Sequence, residues 1–350
     1  MMVLCFRTAH QEEKNKIIEL WQHCFADPPA FADWYFTNYY QPQNTMIVEE
    51  NGQILSALQL IPYTILLRGK PFSINYLVGM GTWEYARNRG LAKQLLTYSL
   101  AKMVTDRKEY YTMLLPAIPP FYAKMGWAYG YDLQQYAVPA NPAPPVPYQK
   151  MTAAAGKKEI VFFADLYRQF CASYHGYTIR DNRNWQAILQ DLSLENGHIL
   201  FSAKAYLFYT KKEGGITITD CAFTSQTEFA FLLQKAKEEG SLSSFSSAIA
   251  LPQLPTLEKP QPFMMGRVAS VPFVLQSLSY AHHENGQIIW RIKDPLCPQN
   301  EQPYWMDIQY GNVQIKAIKN QACHCLAPTV TTIAENAIPL RDPKFLEQGR

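Results

Sequence analysis

Arg87-Asn88-Arg89-Gly90-Leu91-Ala92 separates an apolar run, Phe72 to Met80, from a segment, Gly90 to Met103, whose apolar residues recur at helical spacing. Leu91, Leu95, Leu96, Leu100 and Met103 form that stripe. A strand, a turn containing glycine and then a helix have a physical use in this order. The first turn of a helix leaves backbone N–H groups without partners, and the helix dipole makes that end partly positive. Gly90 lets the backbone come close to a bound group, so the turn can offer those N–H groups to a pyrophosphate. Arg87, Arg89 and Lys93 add charge suited to terminal phosphates. The plain alternative is an ordinary strand-turn-helix with a solvated basic corner, and a motif this short does not choose between them.

On either side of this stretch the element types alternate. Lys14 to Cys24 carries Ile17, Ile18, Leu20, Trp21 and Cys24 at helical spacing. Met46 to Glu50, Asn51-Gly52 and Ile54 to Ile61 read as a hairpin, because Asn-Gly suits the φ > 0 positions of a type I′ turn. Thr64 to Leu67 and Phe72 to Met80 read as a second strand pair around Arg68-Gly69-Lys70, and Tyr111 to Leu115 as a short strand. The expectation is an α/β (α+β) block: a mixed sheet with flanking helices.

At 350 residues the chain exceeds one typical core, and its punctuation is proline. Five prolines between Pro139 and Pro147 forbid helix and interior strand, and Pro252, Pro255, Pro260 and Pro262 mark a second break. The expected blocks are 1–138, 148–258 and 262–350. With 48% hydrophobic and 13% aromatic residues the chain has ample surface to bury, which excludes a disordered protein. A formal net charge of +3 without a long basic run argues against nucleic acid as a partner. No apolar run reaches membrane-spanning length, so no membrane partner is expected. Seven scattered cysteines read as reduced thiols of a cytoplasmic protein, with Cys24 and Cys171 as small buried hydrophobes. Cys323-His324-Cys325 lacks a second ligand pair at zinc-finger spacing, so no metal is expected.

Arg87 to Ala92 resembles the R-x-x-G-x-A pyrophosphate loop of the GCN5-related N-acetyltransferases, the GNAT superfamily. Met80-Gly81-Thr82 lies where that family's central strand splays and binds the pantetheine arm, and Phe121-Tyr122-Ala123-Lys124-Met125-Gly126-Trp127 resembles its F-Y-x-x-x-G-F segment. Further on, Tyr167, Gly176, Arg180 and Trp185 resemble the middle domain of the Eis-type (enhanced intracellular survival) acetyltransferases. Met264-Met265-Gly266-Arg267-Val268, with Trp290 to Pro295 and Asn300, looks like the start of their sterol-carrier-like third domain. The resemblance implies a GNAT domain, a second GNAT-like domain and a sterol-carrier-like α+β domain in the three blocks. It implies acetyl-CoA as co-substrate without metal, an amine acceptor of the aminoglycoside, polyamine or lysine type, and a homo-oligomer, a hexamer in that family.

The same resemblance assigns cofactor binding to Met80, Gly81, Thr82, Arg87, Asn88, Arg89, Gly90, Leu91, Ala92 and Lys93. It assigns the general acid to Tyr122, whose phenol, with an unperturbed pKa of about 10, is protonated at neutral pH. Eis-type chains end on an aromatic residue whose terminal carboxylate serves as base, whereas this one ends Gln348-Gly349-Arg350. The base is unassigned, with the Arg350 carboxylate, Glu347 and a water relay open. Phe31, Trp34, Tyr35, Phe36, Tyr39 and Tyr40 form an aromatic segment that reads first as core. With a nearby acid, Asp27 or Asp33, its faces also suit a cationic amine, so Trp34 and Asp27 are candidate acceptor residues. The competing function is a binding or sensor protein that holds acyl-CoA or an apolar ligand, with catalysis lost at the altered C-terminus.

Overall fold

The computed structural model describes residues 3–248, 251 and 254–318, which divide into two compact units. The first takes residues 3–131 together with 263–318, and the second residues 132–262.

In the first unit the chain runs β1 (Leu4–Thr8), α1 (Lys14–Cys24), α2 (Pro29–Asn38), β2 (Thr45–Glu50), β3 (Gln53–Leu67), β4 (Lys70–Thr82), α3 (Leu91–Lys102), β5 (Tyr111–Leu114) and α4 (Pro119–Ala123), and β6 (Ala128–Ala137) leads out of it. The sheet order is β1-β2-β3-β4-β5, followed by the strand Gln261–Val268. Pairing is antiparallel except between β4 and β5, where it is parallel. Two turns of the expected chemistry close the hairpins. Asn51 and Gly52 have φ of 52° and 79°, and Arg68 and Gly69 have φ of 47° and 78°, positive at both positions as a type I′ turn requires.

Two local expectations need correction. Ile54 to Ile61 and Thr64 to Leu67 are expected as separate strands, yet β3 is one strand that pairs with β4 from Ser56↔Thr82 to Leu67↔Lys70. Its pairing with β2 ends at Thr45↔Gln59, so Pro62 lies beyond the part of β3 flanked by that neighbour, where a missing N–H breaks no ladder bond to it. The aromatic segment, which carried no element assignment, is helix α2, with Pro29 in its first turn and Ala32, Tyr35 and Phe36 buried.

The two faces of the sheet bury separate cores. Leu91, Leu95, Leu96 and Leu100 of α3 pack with Val48, Leu55, Leu58, Leu60 and Leu77. Ile17, Leu20 and Trp21 of α1 and Tyr35 and Phe36 of α2 pack with Ile47, Ile54, Ala57 and Ile61. The alternation Ile47/Val48 and Ile54/Leu55 sends neighbouring residues to opposite faces, as the two-residue strand period demands. Residues 263–318 add the helix Val271–Ser277 and a three-stranded antiparallel sheet, Gly286–Trp290, Tyr304–Gln309 and Asn312–Ala317. Cys323, His324, Cys325, Glu347 and Arg350, considered above as ligand or base candidates, lie outside the described residues.

The second unit holds a four-stranded antiparallel sheet of Tyr148–Thr152, His198–Ser202, Ala205–Lys212 and Gly215–Phe223, with helices Lys157–Cys171, Asn182–Leu194 and Gln226–Lys237. The proline-rich stretch has no helix or strand from Val138 to Pro147, and Gln234 pins it through Ala143 N–H (3.0 Å) and Asn141 C=O (2.5 Å). Tyr167, Arg180 and Trp185 meet in its core. The Arg180 guanidinium lies 4.0 Å and 4.8 Å from the Tyr167 and Trp185 ring centres and is paired with buried Asp220 at 2.6 Å. No helix among the described residues is long and apolar enough to cross a membrane.

Candidate active site

The site begins with an irregularity in β4. Its register with β3 runs Gln59↔Val78 and then Ala57↔Gly81, so β4 carries one extra residue, a bulge at Gly79–Met80. Gly79 has φ of +63°, and a Cβ there would sit 2.2 Å from Cζ3 of Trp21. A Cβ on Gly81 would sit 2.8 Å from Sγ of Cys24. The two glycines therefore let α1 rest directly on the strand backbone. Parallel pairing of β4 with β5 runs through Asn75↔Thr112 and Tyr76↔Met113, and Met80, Gly81 and Thr82 lie beyond it. Their backbone groups on that side are free of a β5 partner.

The chain then turns through Glu84–Ala86 into the loop. Arg87 is extended (φ −65°, ψ 167°), whereas Asn88 and Gly90 adopt φ of 62° and 73°. Asn tolerates this conformation and glycine adopts it freely. Gly90 is the N-cap of α3, and no side chain caps the helix, so its first N–H groups remain available. Ala86 and Leu91 are buried and anchor both ends, while Arg87, Asn88, Arg89 and Gly90 are exposed. Arg87 Nε donates to the Thr82 carbonyl (3.2 Å), tying the loop to the free end of β4. Arg89 forms a two-pronged pair with Glu50 (2.6 and 3.1 Å), which holds the Glu50 carboxyl below its usual range. Its guanidinium is thus shared with a carboxylate on β2. Ala92 is half-buried and Lys93 is exposed.

Lys93 faces a groove of about 460 Å³ that Ile118, Pro120, Phe121, Lys124 and Met125 line from the α4 side. Tyr122 sits on the same short helix, which starts with Pro119-Pro120. It is only 8% exposed and packs edge-on against Phe121 (5.1 Å) and Trp127 (5.8 Å). Burial pushes its phenol up to about 12, so it is protonated throughout the neutral range. The Tyr122 hydroxyl makes no hydrogen bond to another described residue, and Met80 packs against the core that contains Tyr122. Tyr76, whose phenol is likewise raised to about 12 by burial, is electrostatically coupled to Tyr122.

The cofactor residues suggested by sequence thus come together: 80–82 on the free strand end, 87–93 on the loop and first helical turn, and Tyr122 beside the groove. The acceptor candidates do not line that groove and lie on the α1–α2 side. Asp27 is exposed and accepts a hydrogen bond from Trp21 Nε1 (2.9 Å). Trp34 packs with Phe31 and Tyr39 (5.4 Å each) on the α1–α2 side, its buried Nε1 without a partner among the described residues. Sequence reasoning missed Lys124 and Met125 as groove walls, although both lie inside the Phe121–Trp127 motif. It also missed Glu50 as the partner of Arg89; nothing local joins residues 39 positions apart.

Comparison with known proteins bears on this arrangement. Residues 5–130 match the family model of an acetyltransferase (GNAT) domain. Among solved structures the chain is similar to a GCN5-related N-acetyltransferase from Anabaena variabilis, at 15% identity and a TM-score of 0.77 over 95% of this chain and 89% of that one. It is similar to a conserved protein of unknown function from Enterococcus faecalis, described as a probable N-acyltransferase, at 18% identity and a TM-score of 0.79 over 95% and 88%. It is also similar to Eis1 from Mycobacterium abscessus, at 13% identity and a TM-score of 0.72 over 96% and 89%. At these identities the likeness is one of fold. A search of curated proteins finds no match. Residues 5–130 thus match a GNAT acetyltransferase domain, and that match supports an acetyl-CoA-dependent N-acetyltransferase.

Proposed function

We propose that the protein transfers the acetyl group of acetyl-CoA directly to a primary amine of a small polycationic molecule, such as an aminoglycoside or polyamine, or to lysine. The observation that carries the reading is the groove between Lys93, on the first turn of α3, and the α4 residues around Tyr122. In this reading the free N–H groups of α3, with Asn88, Gly90, Leu91 and Ala92, cradle the pyrophosphate, and Arg87 and Lys93 supply charge. Met80, Gly81 and Thr82 bind the pantetheine arm along the strand edge that β5 leaves open. The amine attacks the thioester carbonyl, the C–S bond breaks as the Tyr122 phenol delivers a proton to the departing thiolate, and the proton shed by the new amide nitrogen restores the phenol. Holding both reactants in one cleft contributes to the acceleration. Asp27 and Trp34 are offered as acceptor contacts. A cytoplasmic homo-oligomer, with a second GNAT-like domain in 148–258 and a sterol-carrier-like domain in 262–350, completes the proposal.

The test is thiol release from acetyl-CoA with spermidine, kanamycin and a lysine peptide, run beside Tyr122→Phe. The expected result is turnover with at least one amine and a kcat about 100-fold lower in Tyr122→Phe, at unchanged acetyl-CoA affinity. Tight acetyl-CoA binding without release from any amine overturns this reading in favour of a sensor. Wild-type kcat in Tyr122→Phe removes Tyr122 as the acid.

A further inference from the structure

Behind the Tyr122 segment, within the first unit, lies an ion pair from which water is wholly excluded. Arg267, on the strand Gln261–Val268, and Asp294 both have fully buried side chains. A dense set of hydrogen bonds holds the pair. Arg267 Nη2 donates to Asp294 Oδ1, Nη1 to Asp294 Oδ2 (3.4 Å) and to the Val268 carbonyl (2.5 Å), and Nε to the Met125 carbonyl (2.9 Å). Asp294 also accepts from Leu296 N–H (3.0 Å), Cys297 N–H (2.9 Å) and Asn300 Nδ2 (2.8 Å). Asn300 in turn is fixed by the Ala269 carbonyl (3.1 Å) and Val271 N–H (3.2 Å).

Burying such a pair is costly, and apolar residues of similar size often serve stability as well or better. Stability is therefore a weak reason for its presence, whereas its point of attachment offers a stronger one. Met125 belongs to the turn that follows α4, and its N–H and that of Trp127 both donate to the Tyr122 carbonyl (2.9 and 3.2 Å). The Arg267 guanidinium lies 5.2 Å from the centre of the Trp127 ring, whose edge-on contact forms one wall of Tyr122. One planar group thus fixes the turn that carries the Tyr122 backbone and the ring that orients its phenol.

We propose that Arg267, clamped by Asp294, is a positioning residue for acetyl transfer: it sets the direction of the Tyr122 hydroxyl toward the departing thiolate. The inference rests on the reading of Tyr122 as the acid. A lysine at 267 can still pair with Asp294, but it lacks the fork that reaches Met125 at the same time.

The experiment compares Arg267→Met/Asp294→Asn, which leaves no unpaired charge, and Arg267→Lys, each with and without Tyr122→Phe. Thiol release from acetyl-CoA is followed with the amine of the panel that turns over fastest, and folding is checked by thermal unfolding. The expected result in either folded variant is a kcat about 10- to 100-fold lower with an acetyl-CoA KM changed by less than about threefold. In the Tyr122→Phe background the same substitutions should cost almost nothing more, because the group they position is gone. An equal loss of kcat in the Tyr122→Phe background overturns the proposal, as does wild-type kcat in a folded variant. Wild-type kcat in Tyr122→Phe alone overturns the acid assignment itself and with it this inference, a separate and recognisable result.

Discussion

Gly79→Ala is the sharpest test of how the bulge in β4 is built. At φ +63° an alanine carries backbone strain of roughly 1–2 kcal/mol. Its Cβ would also lie 2.2 Å from Trp21 Cζ3 and 2.7 Å from Cε3, far inside contact distance. The indole cannot easily withdraw. It is stacked on Tyr35 at 4.7 Å, packed against Phe25 and Phe36 at 4.9 and 5.4 Å, and tethered to Asp27 at 2.9 Å. Overpacking of this kind costs about 1–3 kcal/mol, for a total of about 2–5 kcal/mol. Gly52→Ala provides the control: Gly52 has φ of +79°, and a Cβ there would meet nothing within 4 Å, so the substitution carries the strain alone. The assay is urea unfolding of wild type, both variants and Gly79→Ala/Trp21→Phe, comparing midpoints at equal slope. The double variant should recover part of the steric cost, since the smaller ring vacates the contact. If Gly79→Ala costs no more than Gly52→Ala, the account of α1 resting on the strand backbone is wrong.

Two further outcomes follow from buried polar groups. Glu13 receives both prongs of Arg7 (2.7 and 2.8 Å) and the His10 N–H (2.7 Å), and the Arg7 hydrogen bonds lead in lowering its carboxyl from 4.5 to about 2. A depressed folded pKa means that this stabilisation is present above pH 4.5 and is lost as pH falls toward 2. The loss is no more than about 3 kcal/mol, and Glu13→Gln should show a shallower acid limb in a plot of unfolding midpoint against pH. Tyr111 is fully buried with a hydroxyl that has no partner among the described residues, and a Cβ on Gly266 would lie 1.7 Å from that oxygen. Tyr111→Phe should therefore stabilise by about 1 kcal/mol and should rescue a strongly destabilised Gly266→Ala in thermal unfolding. A destabilised Tyr111→Phe would mean that the hydroxyl is satisfied.

Much of the first unit was legible because its signals are local. The stripe Leu91, Leu95, Leu96 and Leu100 is what a helix with one buried face requires, and all four residues are buried in α3. Asn51-Gly52 and Arg68-Gly69 declare turns because their neighbours in sequence are also their neighbours in space. The loop 87–92 and the Phe121–Trp127 segment were readable for the same reason, each being a short run with fixed internal spacing. Helix α2 was not, since its aromatic residues lack the one-sided stripe that marks a surface helix. The continuity of β3 through Pro62 was not legible either, because the cost of a proline there depends on which side of the strand has a partner, and that is a property of the sheet.

Sequence by itself thus determined the mixed α/β character, the hairpin turns, the glycine-bearing loop before α3 and the position of Tyr122 in its motif. Only the tertiary structure decided that Arg89 answers to Glu50, that Gly79 makes room for Trp21, and that Arg267 reaches Met125 across 142 positions. Hydrophobic period and turn chemistry act over a few residues, so the chain carries them openly. Ion pairs and close contacts depend on distances in space, and those exist only once the sheet has brought remote segments together.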